Sequence, residues 1–417
     1  MEGKGIGIVK IFKLSPDDHG KVDWPLLDAQ RRSVVTIGTF DGVHKGHQAV
    51  LSTTVELARK HDSFSLVIIF TPRPSFAHLA WKEGRTASEE EDRLALTSLR
   101  QREELIARQG VDALFEMEYT PEFAQTTYTA FLGQLVGKVG MRTLVLGEDA
   151  RLGKDRSGDT KAIRNVAQAV GVFELEVVDD QGETAGTWVP GTVTYQAPQR
   201  KGEPANPLAG MSKAQKRAYT KKHHMRPVRD WSSSHVRDCL ATGRIAEARS
   251  VLGRDPQVAG VVVHGDARGR DLGFPTANVG GYREGFIPVD GVYAGYLLDY
   301  GFGDGSVSEG AASRQEDLSG HPYREFDGRD REPARLPAAI SVGLNDTFHE
   351  AGEDVSRTIE AYVLGSHDLD LYGHRVAVDF AAFLRPMVRF DSAEELVDQL
   401  KEDERRTEEL TDGRAGS

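Results

Sequence analysis

"VTIGTFDGVHKGHQAV" (residues 35–50) begins as a β-branched apolar run, passes through a glycine-rich turn and continues with helical periodicity. This order of strand, turn and helix is how a βαβ unit begins, and it places His44 and His47 at the junction. Open parallel sheets bind their ligands at the carboxyl ends of the strands. We therefore expect the two histidines to lie at a ligand-binding edge of a sheet.

The same alternation of short apolar runs and helical periodicity continues from residue 33 to about residue 180. Strands that alternate with helices indicate an α/β domain, Rossmann-like in its parallel sheet, with helices on both faces. The predicted strands of this domain are residues 33–38, 64–70, 112–119, 143–148 and 173–178.

After about residue 253 the sequence changes to strands separated by turns, which indicates a small antiparallel β-barrel. Residues 301–336 are rich in Gly, Ser and charge and are predicted to form a long exposed loop. Ser392 and Glu395 have capping-box spacing, so a helix is predicted to close the barrel, with a tail that frays from about Glu404. The predicted barrel strands are residues 257–265, 291–300, 337–344, 358–365 and 374–384.

These patterns predict a first domain over residues 1–185 and a second over residues 253–417, with an insertion at 301–336. Residues 186–230 are predicted to be a basic linker or insertion, followed by a helical connection over residues 231–252. The linker is either a solvated flexible loop or a flap that meets phosphate. Its basic residues include Lys213, Lys216, Arg217, Lys221, Lys222, Arg226 and Arg229.

Composition limits the class of protein. The chain has 417 residues, of which 39% are hydrophobic and 28% charged, and its formal net charge is -12. An acidic chain is a poor general binder of nucleic acid, because phosphate-backbone binding relies on clustered Lys and Arg. Neither a signal peptide nor a run of about 18 apolar residues is found, so we expect a cytoplasmic protein without membrane contact. The single cysteine, Cys239, excludes an internal disulfide.

The residues between the first strand and helix suit phosphate chemistry. A helix N-terminus offers free N–H groups and partial positive charge, and Gly42 and Gly46 would let the backbone approach a phosphate closely. The imidazoles of His44 and His47 could donate hydrogen bonds to oxygens that gain charge in a nucleotidyl transfer. The alternative is that one histidine caps the helix and the other is a surface residue.

Several motifs in one order resemble the bacterial bifunctional riboflavin kinase/FAD synthetases. The motif "GTFDGVHKGHQAV" resembles the first nucleotide-binding motif of that family, and "GRDLGFPTANV" (269–279) resembles the signature of its kinase module. The resemblance implies a nucleotidyltransferase domain followed by a riboflavin kinase barrel. Further matching segments are "LGKDRSGD" (152–159), "WSSSHVR" (231–237), "GVYAGY" (291–296) and the stretch from residue 370 to residue 400.

For the N-terminal module the resemblance implies adenylylation of FMN to FAD with release of pyrophosphate. His44 and His47 would contact the phosphates of ATP, while Ser233 and Arg237 would hold the leaving pyrophosphate. Asp159 would contact the flavin. The nucleotide-binding residues implied here are Gly38, Phe40, Asp41, Gly42, Gly46, Ser233 and Ser234.

For the C-terminal module the resemblance implies ATP-dependent phosphorylation of riboflavin to FMN. Glu360 would be the catalytic base, and Thr276 and Asn278 would hold Mg²⁺. A solvent-facing carboxylate and a structural turn are the alternatives for these residues. The implied nucleotide-binding residues are Gly265, Arg270, Gly273, Pro275 and Thr276, and the implied flavin-binding residues are Arg385, Arg389, Phe390 and Leu396.

Some positions depart from the family pattern. Ala150 and Leu152 stand where the family usually has aromatic residues, which weakens the adenylylation hypothesis. Ser341 and Asp346 replace an Asn and a Pro in the kinase half. A kinase with a degenerate first module and a non-enzymatic flavin-binding protein therefore stay as alternatives. The expected partners are ATP, riboflavin and FMN, while transient self-association and delivery of FAD to apoproteins are left open.

Overall fold

A computed structural model describes residues 8–28, 32–180, 182, 186–265, 274–302, 315–326, 333–344, 357–365 and 370–412. The chain divides into two compact units, which are described separately below. The first unit comprises residues 1–182 and 306–330, and the second comprises residues 183–305 and 331–417. No helix in the described ranges is long and apolar enough to cross a membrane.

The strands, in chain order, are β1 (Val9–Leu14), β2 (Ser33–Gly38), β3 (Phe64–Thr71), β4 (Ala113–Glu118), β5 (Met141–Gly147), β6 (Arg151–Leu152), β7 (Gly158–Asp159), β8 (Glu174–Val178), β9 (Thr187–Pro190), β10 (Met225–Val228), β11 (Gln257–Val263), β12 (Thr276–Glu284), β13 (Gly291–Phe302), β14 (Gln315–Glu316), β15 (Pro322–Phe326), β16 (Ala334–Leu344), β17 (Arg357–Val363) and β18 (His374–Arg385). The α-helices are α1 (Lys45–Lys60), α2 (Pro74–Lys82), α3 (Leu99–Ala107), α4 (Tyr128–Gln134), α5 (Thr160–Val170), α6 (Lys213–Lys222), α7 (Ser233–Ala241), α8 (Ile245–Leu252) and α9 (Ala393–Asp412).

The first unit is built on a sheet with the strand order β14-β15-β1-β4-β3-β2-β5-β8. The pairs from β1 to β8 in this order are all parallel, which confirms the predicted α/β class. The first five residues of β2 are buried, as expected for a parallel strand covered on both faces. One face packs on α1 and α3 through residues such as Leu51 and Ile106, and the other packs on α4 and α5 through Phe131 and Ile163.

This sheet contains strands that were not predicted. β1 lies beside β4, and the hairpin of β14 and β15 extends the sheet beyond β1 in antiparallel register. The prediction of a long exposed loop over residues 301–336 is wrong for residues 315–326, because Tyr323 packs against the buried Phe12 ring and Arg324 meets buried carboxylates.

The second unit contains a closed barrel in the order β11-β12-β17-β16-β13-β18, with antiparallel neighbours. The predicted antiparallel barrel is thus confirmed, with β12 as an additional strand. Helix α9 packs on it, but the prediction of a fraying tail from Glu404 is wrong. The helix continues to Asp412 because Asp403, Thr407 and Thr411 are buried and the Tyr296 hydroxyl donates to the Thr411 carbonyl oxygen.

The basic linker contains regular structure as well. β9 and β10 form a two-stranded antiparallel ribbon, and α6 lies between them in the chain. Helix α6 has no apolar stripe, and a capping box between Ser212 and Gln215 fixes its first turn. Its Lys and Arg side chains are exposed to solvent, so this segment presents a positively charged helix.

Candidate functional site

The two histidines of the opening motif lie against each other at the start of α1. His44 is the N-cap residue, and its Nδ1 accepts a hydrogen bond from the His47 N–H at 3.4 Å. The two rings stack at a centroid distance of 3.6 Å, and the Phe40 ring meets His47 edge-on at 5.1 Å. The capping alternative is therefore correct for His44, and it is compatible with phosphate binding because a cap aims the ring at the helix N-terminus.

The backbone of this turn adopts an uncommon conformation. Phe40 has a φ of 47° and Val43 has a φ of 38°, which are costly values for side chains of these shapes. Gly42, with a φ of 82°, donates its N–H to the Thr97 hydroxyl at 3.0 Å. Left-handed residues held by their surroundings occur often where function requires a fixed loop.

Asp41 fixes this turn from within. Its carboxylate is buried and accepts the N–H groups of Leu96 and Thr97 at 2.8 and 3.3 Å. Arg73 lies 3.4 Å from the same carboxylate and donates twice to Asp92, at 2.6 and 2.7 Å. Burial lowers the pKa of Arg73, but the attraction of the two carboxylates outweighs it and raises the pKa. Asp41 thus positions the turn, and Arg73 supports it.

Two glycines of the motif leave room for close packing. A Cβ on Gly46 would lie 2.9 Å from the Asp180 carbonyl oxygen and 3.3 Å from the His44 ring. A Cβ on Gly38 would lie 3.1 Å from the Phe40 ring. Any side chain at Gly46 would therefore displace the histidine pair or the neighbouring backbone.

An aromatic cluster follows the carboxyl ends of β3 and β4. The rings of Trp81 and Tyr119 are nearly parallel, with centroids 5.7 Å apart, and Phe70 lies edge-on to Tyr119 at 5.7 Å. His78 Nε2 is 3.1 Å from the Tyr119 hydroxyl oxygen. Sequence reasoning missed this cluster. The signal was Tyr119, the last residue of one predicted strand, and Trp81, which lies in the segment after another.

The segment with the unusual Ala150 and Leu152 has a structural role. Leu152 is buried in the core, and Ala150 packs against that core. Asp159 is the N-cap of α5, with its carboxylate accepting the Ala162 N–H at 2.8 Å and lying 3.7 Å from Arg151. One oxygen of Asp159 is thus used in capping the helix.

The "WSSSHVR" segment, in the second unit, forms the first turn of α7. Ser232 is the N-cap, and Ser233 and Arg237 lie four residues apart, on one face of the helix. Arg226 of β10 donates to the Ser234 hydroxyl at 2.9 Å, and Arg237 is buried. Because His44 and His47 belong to the first unit, the predicted nucleotide-binding residues are divided between the two units.

His235 anchors this turn. Its Nδ1 lies 2.7 Å from the Asp230 carbonyl oxygen, and its Nε2 lies 2.9 Å from a carboxylate oxygen of Glu247. Cys239 completes a group of three residues with ligand atoms within 4.8 Å of one another. Both ring nitrogens face acceptors, so each carries a proton and neither has a lone pair for a metal. The group is an ion-pair network with Arg244, which also contacts Glu247.

The barrel brings the predicted kinase residues together. Asn278 of β12 is directly opposite Glu360 of β17, and Ser341 of β16 is opposite Glu360 on the other side. The Thr276 hydroxyl donates to a Glu360 carboxylate oxygen at 3.3 Å. A Cβ on Gly265 would collide with the Asn278 amide, so glycine at this position lets Asn278 keep its place beside Glu360. Hydroxyl, amide and carboxylate oxygens therefore lie on one patch of adjacent strands.

The predicted flavin-binding residues of this unit lie at the end of β18 and the start of α9. Arg385 is buried and donates to the Asp403 carboxylate at 2.8 to 3.0 Å. Its guanidinium lies 5.8 Å from the Phe390 ring centroid. Arg389 is exposed and Leu396 is half-buried. Pro275 is half-buried just before β12, while Arg270, Gly273 and Asp346 lie outside the described residues.

Comparisons with known proteins agree over both halves of the chain. A family model for FAD synthetase matches residues 27–190, and one for riboflavin kinase matches residues 252–411. The bifunctional riboflavin kinase/FMN adenylyltransferase of Listeria monocytogenes is 27% identical over 90% of this chain and 91% of its own length. The protein of the same name from Escherichia coli K12 is 28% identical over the same shares. A Streptococcus pneumoniae crystal structure titled a macrolide-efflux protein, 24% identical, covers 95% of this chain and 98% of its own with a TM-score of 0.64, which shows the fold alone.

Proposed function

The chain belongs to the family of bifunctional riboflavin kinase/FMN adenylyltransferases, and from this premise we propose that its barrel and its parallel-sheet unit catalyse consecutive reactions. The barrel phosphorylates riboflavin to FMN with ATP. The parallel-sheet unit transfers the adenylyl group of a further ATP to FMN and releases pyrophosphate. The observation that carries the proposal is the row of Thr276, Asn278 and Glu360 on neighbouring strands.

In the kinase reaction Glu360 accepts the proton of the riboflavin 5'-hydroxyl as that oxygen attacks the γ-phosphorus of ATP, the bond to the bridging oxygen breaks and ADP leaves. A positioned base of this kind contributes about 10² to 10⁴ in rate. Thr276 and Asn278 offer the neutral oxygen ligands that Mg²⁺ accepts beside phosphates, and the absence of a side chain at Gly265 accommodates the Asn278 amide. A magnesium ion held there would neutralise charge on the ATP phosphates.

In the adenylyl transfer a phosphate oxygen of FMN attacks the α-phosphorus of ATP, and pyrophosphate leaves. The N–H groups at the start of α1 and the imidazoles of His44 and His47 bind phosphate oxygens, and their positions are fixed by Asp41. Ser233 and Arg237 hold the leaving pyrophosphate, since a guanidinium binds two oxygens at once. This chemistry needs no covalent intermediate, because FMN itself supplies the nucleophile.

The aromatic cluster of Phe70, Trp81 and Tyr119 supplies the flavin end of this first site. These rings follow the carboxyl ends of β3 and β4, the edge where parallel sheets bind ligands. They offer flat apolar surface for an isoalloxazine ring in place of aromatic residues at positions 150 and 152. The departures at Ala150 and Leu152 are therefore compatible with FMN binding.

The cellular setting is part of the same proposal. A cytoplasmic location is supported by the single cysteine, Cys239, which is buried and forms no disulfide, as expected in a reducing compartment. Transient self-association and delivery of FAD to apoproteins stay predictions.

Two substitutions test the division of labour. Glu360→Gln should lower FMN formation from riboflavin by about 10²-fold or more while leaving FAD formation from supplied FMN unchanged. His47→Ala should lower FAD formation by a similar factor, about 10²-fold, and spare FMN formation. Initial rates of both reactions are measured for each protein.

The controls are Glu394→Gln and His19→Ala, which change exposed residues of the same types. Both controls should keep both rates. Equal loss of the two reactions in either test variant, with an intact fold, would contradict the proposed division of the two reactions between the units.

A further inference from the structure

The first unit contains a cavity of about 740 Å³ that the proposed reactions do not use. It lies at the amino ends of the strands: Arg32 directly precedes β2, Arg142 is the second residue of β5 and Glu174 begins β8. Because these strands are parallel, this edge of the sheet is opposite to the edge that carries His44. The cavity is therefore separate from the candidate site.

The wall of the cavity is positively charged. Arg32, Arg142 and Arg164 line it together with His61, and Glu174 is the single acidic residue among the lining side chains. Arg164 and Gln168 lie one turn apart on α5, so both can face the same space.

The three arginines of the wall are accessible to a ligand. Arg32 and Arg164 are exposed, and Arg142 is half-buried and donates to the Met141 carbonyl oxygen at 2.9 Å. Within the part of the chain that the structure describes, the three guanidinium groups form no ion pair. Like charges without carboxylate partners on one concave wall repel one another, and an anion bound between them would relieve that repulsion.

We propose that this cavity is a second binding site, which takes a small phosphorylated molecule with an apolar or aromatic part. Guanidinium groups bind phosphate oxygens in pairs. Ala167, Val172 and Leu175 add apolar wall next to the arginines. The volume lies within the usual range of small-molecule sites, about 300 to 1,000 Å³.

The competing explanation is that the arginines only neutralise helix carboxyl ends. His61 caps the end of α1, and Gly171 caps the end of α5, so partial negative charge reaches this edge. That explanation requires no ligand, and it expects the ligand-free protein to lose stability when the arginines are removed.

The test compares the parent chain with Arg142→Ala/Arg164→Ala by calorimetric titration with inorganic pyrophosphate in the absence of magnesium. The control, Arg108→Ala/Lys138→Ala, removes the same charge from exposed positions outside the cavity. We expect the double variant to bind one equivalent of pyrophosphate fewer than the parent and the control. Equal stoichiometry and affinity in all three proteins would overturn the proposal.

A second pair of measurements separates a ligand site from a structural role. The ligand-free double variant should melt at the parent temperature or above it, because removal of like charges relieves repulsion. Arg142→Lys/Arg164→Lys keeps the charge and should weaken binding about tenfold, since lysine lacks the planar fork of arginine. A lower melting temperature than that of the control, with binding stoichiometry retained, would favour the structural explanation and overturn the proposal. The rates of both proposed reactions are measured in parallel. A negative result for the second binding site is thereby distinguished from a negative result for the proposed function.

Discussion

Gly46 shows how one missing side chain supports the proposed chemistry. The residue lies in the first turn of α1, where an added Cβ would be 2.9 Å from the Asp180 carbonyl oxygen and 3.3 Å from the His44 ring. Only hydrogen fits there without displacing a neighbour. The His44 and His47 rings stay stacked because this position is glycine.

Gly46→Ala should therefore disturb adenylyl transfer. We expect FAD formation from FMN to fall by about 10²-fold, because misplacement of a catalytic group by about 1 Å costs that much, while FMN formation is unchanged. The control is Gly133→Ala in α4, where an added Cβ meets no heavy atom within 4 Å. That change should keep both rates. An unaffected rate of FAD formation in Gly46→Ala would contradict the role given to the stacked histidines.

His235 is a residue whose contribution to stability depends on pH. Burial lowers its pKa, but hydrogen bonds to Glu247 and to the Asp230 carbonyl outweigh burial and raise the pKa above 6.5. Because the His235 pKa is raised in the folded state, the charged ring stabilises the folded protein fully below about pH 6.5. This stabilisation is lost as the pH rises through the pKa of the folded state. His235→Gln should thus cost about 1 to 3 kcal/mol of unfolding free energy at about pH 6 and less at about pH 9.

Urea unfolding of the parent and of His235→Gln at both pH values checks this. His223→Gln, a change at the exposed residue that ends α6, is the control and should show no such dependence. A difference that stays constant with pH would show that His235 is not held as an imidazolium.

At the scale of the elements, the hairpin of β14 and β15 completes a buried charge cluster in the first unit. Arg324 of β15 forms an ion pair with Glu103 of α3 and lies 3.4 Å from Glu116 of β4. Both glutamates are buried, and Lys13 also acts on Glu116. Arg324 and Lys13 only partly offset the burial of Glu116 and the charge of Glu103, so Glu116 holds a proton in the folded protein at neutral pH.

The buried Glu116 makes the unfolding free energy depend on pH. Burial, with the neighbouring Glu103, raises the pKa of Glu116 from 4.5 to about 9, against the opposing effect of Arg324 and Lys13. The unfolded chain releases this proton first, so the unfolding free energy falls between about pH 5 and about pH 9, by at most about 1.4 kcal/mol per pH unit. Glu116→Gln should remove that slope, since the amide does not titrate.

Urea unfolding at several pH values measures the slope. Glu122→Gln, at an exposed position, should keep the slope of the parent. Parallel curves for the parent and Glu116→Gln would show that Glu116 is ionised in the folded protein.

The elements also show what local sequence can predict. Five strands of the parallel sheet, β2, β3, β4, β5 and β8, were predicted because each is a short stretch rich in apolar residues between segments of helical periodicity. β15 was not, because "PYREF" is short and polar and becomes a strand only by pairing with β1. α6 lacks an apolar stripe, and its Ser212 and Gln215 capping box was the available signal.

At the scale of the whole molecule, the sequence motifs identified individual site residues but not the residues that surround them. Glu360, Thr276 and Asn278 could be identified from the resemblance, but their position in one row depends on the register of β12 and β17. The stacked Trp81 and Tyr119 come from different elements, so no local pattern joins them. Tertiary pairing, which a single sequence does not display, accounts for both differences.

The whole chain also has a simple organisation for its two reactions. The barrel carries the row of oxygen ligands, and the parallel sheet carries the histidine turn, so the product of one unit is the substrate proposed for the other. A single chain that holds both sites should convert riboflavin into FAD without another protein.

A time course with purified protein, riboflavin, ATP and Mg²⁺ tests this claim most directly, with FMN, FAD and pyrophosphate separated by chromatography. We expect FMN to rise first and FAD to follow together with an equal amount of pyrophosphate. FMN that accumulates without FAD, even when FMN is supplied directly, would contradict it.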